Sequence, residues 1–155
     1  MTDLKARKMQ KYDLGVVVNL LADDDLGQFR ENADETVNAD YIRAFEEISS
    51  DANQYAAIFE INGVVIGCLQ ITFIPGLSRR GCLRGQIEGV RVGRNFRGEG
   101  YGAKMIAWAV SECRRRGCRM VQLTSDKKRE NAIQFYKRLG FVASHEGLKL
   151  NLTDM

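Results

Sequence analysis

Between a strand-like run and an amphipathic helical run, the chain reads Arg97-Gly98-Glu99-Gly100-Tyr101-Gly102. No other segment narrows the available folds so much. Glycines at 98, 100 and 102 leave a turn nearly free of side chains. Its backbone can adopt positive φ and approach a ligand closely. The N–H groups of a helix start lack intrahelical partners, and the helix dipole adds partial positive charge there. Such a turn suits a phosphate or pyrophosphate. Arg97 adds a full charge at its mouth. The other reading is a tight strand-to-helix turn with no ligand.

Two familiar glycine turns can be compared with it. A P-loop needs G-x-x-x-x-G-K-[ST]. Here Gly98 is followed five positions later by Ala103, then Lys104 and Met105, so the pattern fails. The dinucleotide pattern G-x-G-x-x-G/A is formally matched by Gly98, Gly100 and Ala103, with Asp126 downstream. That turn usually opens the first βαβ unit of a longer chain. Here it follows what reads as an antiparallel meander, and too little chain remains for a second mononucleotide half.

A length of 155 residues points to one domain over 1–155, and 45% hydrophobic residues can supply a core. A single proline argues against a linker-rich chain. The net charge of +3 is mild, where nucleic-acid binding usually shows a clustered basic face. Arg114-Arg115-Arg116 is the densest basic run. It reads as a helix end, with Gly117 at C′. Cys68, Cys82, Cys113 and Cys118 form no C-x-x-C, and His145 is the sole histidine, so no metal site is expected. The cysteines read as buried small hydrophobes or free thiols of a reducing compartment. Met1 to Asp13 lacks the apolar run of a signal peptide. Val64 to Ile74 is too short to span a bilayer and carries Gln70 and Thr72. A cytoplasmic protein without membrane or nucleic-acid partners is expected.

Along the chain, Leu4 to Gln10 reads as a first strand, and Asp13 as the cap of a helix through Leu21. Ala22 to Asp40 is acidic and lacks a period. Asp40 to Ile48 has helical spacing. Tyr55 to Ile61 and Val64 to Ile74 form a hairpin about Asn62-Gly63, the preferred type I′ pair. A loop over Pro75 to Gly81 precedes a strand from about Leu83 to Val92. Helical spacing returns at Ala103, Ile106, Ala107, Val110 and Cys113. A short strand over Met120 to Thr124, a helix over 132–139 closed by Gly140, and one or two strands within Phe141 to Leu150 complete the series. Strand–helix–strand implies parallel pairing. The expected class is therefore α/β with an α+β mixed sheet, antiparallel first and partly parallel later, flanked by about four helices.

From Gln86 to Phe141 the chain resembles the GCN5-related N-acetyltransferases. Arg97, Gly100 and Gly102 match the family's Q/R-x-x-G-x-G/A. Within Asn131 to Phe141, Phe135-Tyr136 and Gly140-Phe141 match the [FY]-Y-x-x-x-G-F of its recurring segment. The strand Ile87-Glu88-Gly89-Val90-Arg91-Val92 precedes both. The resemblance implies acetyl-CoA as co-substrate, its pyrophosphate on Arg97, Gly98, Glu99, Gly100, Tyr101 and Gly102. It implies a pantetheine arm along Val90, Arg91 and Val92, and Asn131 at the pantetheine or capping its helix. Glu88 is implied as the general base, since an amine with a pKa of about 10 is protonated at neutral pH. The Val90 N–H is implied as the oxyanion donor, and Tyr136 as the acid beside the departing sulfur.

The expected function is acetylation of a primary amine on a small molecule by direct transfer. A protein lysine or N-terminal acetyltransferase and a non-catalytic acyl-CoA-binding module are the alternatives. Ile87-Glu88 and the apolar strand after it look similar to acetyltransferases of amino-sugar phosphates and aminoalkylphosphonates. Arg79, Arg80 and Arg84 suit an anionic acceptor. Asp23, Asp24, Asp25, Glu31, Asp34 and Glu35 suit a polyamine. Trp108 reads as packing, His145 as a surface residue, and Lys127, Lys128 and Arg129 as either a phosphate contact or a solvated loop. The resemblance also implies a homodimer, joined through sheet edges or the C-terminal strands.

Overall fold

Asn62 and Gly63 both take positive φ, at 51° and 78°. That is the signature of a type I′ turn, and it joins β2 (Gln54–Ile61) to β3 (Val64–Ile74) in an antiparallel pair. In this computed structural model residues 3–24, 26–31 and 38–154 are described. They fall into two units, Met1–Gln122 and Leu123–Met155.

The first unit is built on a sheet of order β1-β2-β3-β4-β5, with β1 over Lys5–Lys8, β4 over Arg84–Val92 and β5 over Met120–Gln122. The first four strands are antiparallel, and β5 joins β4 in parallel. Its helices are α1 (Leu14–Ala22), the single turn α2 (Gly27–Arg30), α3 (Ala39–Ser50) and α5 (Tyr101–Arg115). The segment read as a loop over 75–81 contains a further turn, α4 (Ser78–Gly81). It is left-handed at Arg79 and Arg80, with φ of 54° and 60°.

The two sheet faces carry different loads. Helix α5 buries Met105, Ile106, Ala109 and Cys113, a one-sided spacing. Each large apolar side chain so buried is worth about 1.5–3 kcal/mol. Gly85 faces this helix closely, for a Cβ there would lie 2.3 Å from the Cys113 sulfur. Trp108 meets Tyr55 and Phe59 edge-on, both at 5.3 Å, as a packing residue should. Elsewhere Val17 and Leu20 of α1 cluster with Ile58 and Cys68.

Asp13 does not cap α1 through its side chain. Buried at 3% exposure, its carboxylate instead takes two bonds from Arg7, both 2.8 Å, and one from the Gln10 N–H. A buried carboxylate needs a cation more than a helix start needs a cap.

The second unit holds α6 (Glu130–Arg138). Gly140 lies at φ 97°, its N–H bonds to the Lys137 carbonyl, and the Phe141 N–H bonds to that of Tyr136. This is a Schellman end. The strands expected within Phe141 to Leu150 do not form; no strand follows Gln122 among the described residues. The segment has the alternation of an edge strand but no ladder partner in its unit, and Val142, Leu148 and Leu150 stay exposed.

Candidate active site

Opposite β3, strand β4 contains one residue too many. Cys68 pairs with Arg91 and Gln70 with Glu88, so Gly89 and Val90 together face Leu69. This is a β-bulge, and Gly89 supplies the positive φ, 63°, that it needs. On the other side, the ladder with β5 stops at Gln86 and Gln122. Ile87 to Val92 therefore have no strand on that side among the described residues. An edge of this kind can bond an extended amide ligand.

The side chains along that edge are partly self-occupied. Arg91 turns back, donating to the Val90 carbonyl at 2.8 Å and pairing with Asp24 at 3.0 Å. Arg97 donates to the Val92 carbonyl at 3.0 Å. The carbonyls of Val90 and Val92 thus already hold donors. Glu88 is exposed, on the sheet face away from Gly85 and α5, and its Oε1 lies 3.5 Å from the Thr72 hydroxyl.

The glycine turn leads directly into α5. Gly100 stands just before the helix at φ 85°, and no side chain caps the start. Gly98 takes φ 78°, and a Cβ built at either glycine meets nothing within 4 Å. The turn therefore has open space, left-handed backbone and an uncapped helix start together, which fits a pyrophosphate. Arg97, the charge at the mouth, is paired. Its guanidinium bonds the Asp23 carbonyl at 2.9 Å and the Asp23 carboxylate at 3.4 Å, so it braces the turn. Glu99 is exposed. Tyr101 packs on Phe96, and the Lys104 ammonium lies 5.7 Å from the Tyr101 ring centroid.

In the second unit, Asn131 is the second residue of α6, and Arg129 holds the cap position, so the capping role falls away. Tyr136 is half-buried and meets the rings of Phe135 and Phe141 at 5.1 and 5.8 Å. The Phe141 contact joins the two ends of the Schellman end. The motif around Tyr136 thus has a structural component besides any chemical one. Lys127 pairs with Glu146 at 3.0 Å, and His145 bonds Ser144.

The thiols are poor nucleophiles. Cys68, Cys82 and Cys113 are buried, and no disulfide joins the four cysteines. Burial pushes the Cys68 and Cys113 thiols up to about 12, and Cys118 is raised for the same reason. No group of three or more potential metal ligands occurs among the described residues. No helix among them is long and apolar enough to cross a membrane.

The acidic segment is largely spoken for. Asp23 pairs with Arg94 and Arg97, Asp24 with Arg91, and Glu31 accepts the Tyr41 hydroxyl at 2.7 Å. Asp25, Asp34 and Glu35 lie outside the described residues. Of the three arginines, Arg84 donates to Gln122 at 3.3 Å. The carbonyls of Arg79 and Arg80 both accept from Arg119, at 2.7 and 2.8 Å.

The Acetyltransferase (GNAT) family model matches residues 18–141. The chain belongs to that family. It is 30% identical over 95 residues to an aminoalkylphosphonate N-acetyltransferase of Salmonella typhimurium, covering 61% of each protein. It is 33% identical over 90 residues to a glucosamine 6-phosphate N-acetyltransferase of Trypanosoma brucei brucei, covering 58% of this chain and 59% of that one. These matches span about three fifths of the relatives' lengths. A crystal structure from Bacillus halodurans C-125, described as a transcriptional regulator, superposes with a TM-score of 0.93 at 41% identity, over 97% of this chain and 100% of that one. The mixed sheet expected from sequence agrees with this family.

Proposed function

We propose that this chain transfers the acetyl group of acetyl-CoA directly to a primary amine on a small, anionic molecule. The carrying observation is the uncapped, left-handed glycine turn at the start of α5, with a bulged strand edge in the same unit. Acetyl-CoA supplies the activated thioester. The turn at 97–102 holds the pyrophosphate, and the edge at 90–92 orients the pantetheine through N–H groups. Glu88 takes the proton of the amine, which frees its lone pair for attack. The Val90 N–H, at the bulge, faces the oxygen on which charge develops. Tyr136 gives a proton to the departing sulfur. Raised thiol pKa values favour this direct route over a cysteine intermediate.

The acceptor class rests on two supports. Both named relatives act on amines that carry a phosphonate or phosphate in their names. Arg84 shares the Glu88 face of β4, four residues away, or about 13 Å along a strand. An amine at Glu88 and an anionic group near Arg84, with Arg79 and Arg80 close in sequence, suits such a molecule. The acidic alternative is weakened, since Asp23 and Asp24 already neutralise arginines. We further propose a homodimer in which the exposed row Leu148, Leu150 and Leu152 is covered by a second copy. Sedimentation giving only monomer at micromolar concentration removes that proposal.

The deciding experiment measures CoA release with a panel of aminophosphonates, amino-sugar phosphates, polyamines and lysine peptides. Turnover with phosphorylated amines is expected. Preference for peptides favours protein acetylation, and CoA binding without turnover favours a binding module. Glu88→Gln should lower turnover about 100-fold or more, and Tyr136→Phe about ten-fold or more, with CoA affinity retained in both. Full activity of both variants removes the role assignments while leaving the family in place.

A further inference from the structure

Across the face that carries Glu88, the sheet register lines up polar side chains from three strands. Gln54 of β2 stands directly opposite Thr72 of β3, and Gln70 of β3 stands opposite Glu88 of β4. Thr72 and Glu88 are therefore diagonal neighbours, within reach of polar side chains. The Gln54 carbonyl oxygen accepts from Gln70 Nε2 at 2.8 Å and from the Thr72 hydroxyl at 3.0 Å. The same hydroxyl lies 3.5 Å from Glu88 Oε1.

A hydroxyl has one proton and two lone pairs. Thr72 faces two oxygens and can donate to one of them at a time. The shorter distance puts the proton on Gln54, which turns a lone pair toward Glu88. That arrangement suits a Glu88 carboxyl that holds a proton and needs an acceptor. A charged Glu88 is better served by the reverse arrangement, because a bond to an ion is the stronger one. The long 3.5 Å contact is of the kind that tightens when substrate binds.

We propose that Thr72 is a positioning residue for Glu88: its hydroxyl proton turns to Glu88 while that carboxylate is charged and back to Gln54 when Glu88 takes up the amine's proton. No proton passes through Thr72; a single O–H bond rotates. The inference rests on Glu88 being the base. It makes Gln54, which does not touch Glu88, a competitor for the donor that steadies the base.

The charged surroundings of Glu88 are few. From β4 they are Arg84 and, beyond the bulge, Arg91 in its pair with Asp24. At their paired positions β2, β3 and β5 present Gln54, Gln70, Thr72 and Gln122, none of them ionisable. Helix α1 has no ionisable residue. In α3, Asp40 pairs with Arg43, Glu46 with Lys11 and Tyr41 with Glu31, and Glu47 is exposed. Helix α5 lies against the other face of β4, where Gly85 meets Cys113.

The test is the acidic limb of kcat/KM against pH, on the full chain, with the best phosphorylated amine and with acetyl-CoA KM recorded alongside. Thr72→Val removes the donor to charged Glu88 and should move the limb up by about half to one pH unit. Gln54→Leu leaves the hydroxyl proton to Glu88 alone and should move the limb down by a similar amount. Thr72→Ser keeps the hydroxyl and should restore the original limb. Glu88→Gln should abolish it. Acetyl-CoA KM should stay within about two-fold throughout, since the glycine turn is untouched. Opposite shifts with serine rescue support the inference. Shifts of the same sign, or none, overturn it while the loss of the limb in Glu88→Gln leaves the base assignment standing. A limb that survives in Glu88→Gln overturns the base assignment and this inference with it.

Discussion

Helices α3 and α5 begin in opposite ways. Before α3, Asn38 has extended backbone, and its side-chain oxygen accepts the Asp40 N–H at 2.8 Å. The chain thus satisfies one of its own orphan donors. Before α5, Gly100 is left-handed and has no side chain to offer. The far end of α5 sharpens the contrast. There Gly117, also left-handed at φ 87°, lets its own N–H bond Arg114 and the Cys118 N–H bond Cys113 at 2.9 Å. The same glycine conformation closes the C-terminus and leaves the N-terminus open. A helix start that lacks a cap and is entered through left-handed glycine keeps its orphan donors open to an anion.

The largest expected effect is at the open start. Gly100→Val places a β-branched side chain at φ 85°, in the space a pyrophosphate would fill. CoA affinity should fall about 100-fold, near 2.7 kcal/mol, as read by titration calorimetry. Thermal stability should fall by less. Unchanged affinity would show that the open start is an incidental turn, and the contrast with α3 would lose its functional meaning.

Helix α1 offers a third kind of start and the next largest effect. Asp13 precedes it, but its carboxylate serves Arg7. Burial alone would raise the Asp13 pKa; the Arg7 bonds and the Gln10 N–H outweigh it and hold the carboxyl below its ordinary value. A depressed folded value stabilises the protein above the unfolded pKa of about 3.9 and stops doing so as pH falls through the folded value. Asp13→Asn should cost about 2 kcal/mol at pH 7 in urea denaturation. As pH falls below about 4 the difference should shrink, and the variant and the parent should converge only below the depressed folded value. CoA affinity should not respond, because the carboxylate belongs to the fold.

Much of this was legible in the sequence, for physical reasons that differ by region. Asn62-Gly63 announced its hairpin because few residues tolerate two successive positive φ values. Gly117 and Gly140 announced helix ends on the same ground. The strand–turn–helix at 97–102 was legible as a turn because Gly98 and Gly100 take the positive φ that glycine allows. Asp13 was misread, because cap and ion-pair partner draw on the same residue type and only tertiary placement decides between them. The pairing of Arg97 with Asp23 was not legible, since Asp23 lies 74 residues away in sequence. The bulge at Gly89 was invisible, for it is a property of two registers and not of one strand. Thr72 read only as a polar break in the apolar run of β3, and Gln54 opens β2; that both share a face with Glu88 depends on the pairing of three strands. The exposed C-terminal segment shows the converse, since alternation suggests a strand but does not supply its partner.

Two smaller effects complete the comparison. Gly117→Val has open space around it, so its cost is the left-handed backbone alone, about 1–2 kcal/mol of stability. CoA affinity measured below the melting range should be retained. Loss of affinity there would mean that the two ends of α5 are coupled.

Asn38→Ala is the smallest and the most exacting. It removes a side-chain acceptor from a helix start that has one, and so turns the α3 start into an uncapped start like that of α5. The expected cost is about 1 kcal/mol, read from the urea midpoint at constant m-value. The altered start should bind no nucleotide phosphate, because the substituted side chain would still bring a Cβ. To cradle a phosphate, a start needs left-handed glycine backbone as well as orphan N–H groups. Titration of the Gly100→Val, Asn38→Ala double variant with CoA makes this visible without the principal site. Residual CoA binding equal to that of Gly100→Val alone is expected. Any gain in binding would mean that an orphaned helix start suffices by itself, and that the glycines at 98 and 100 contribute less than the geometry of the turn implies.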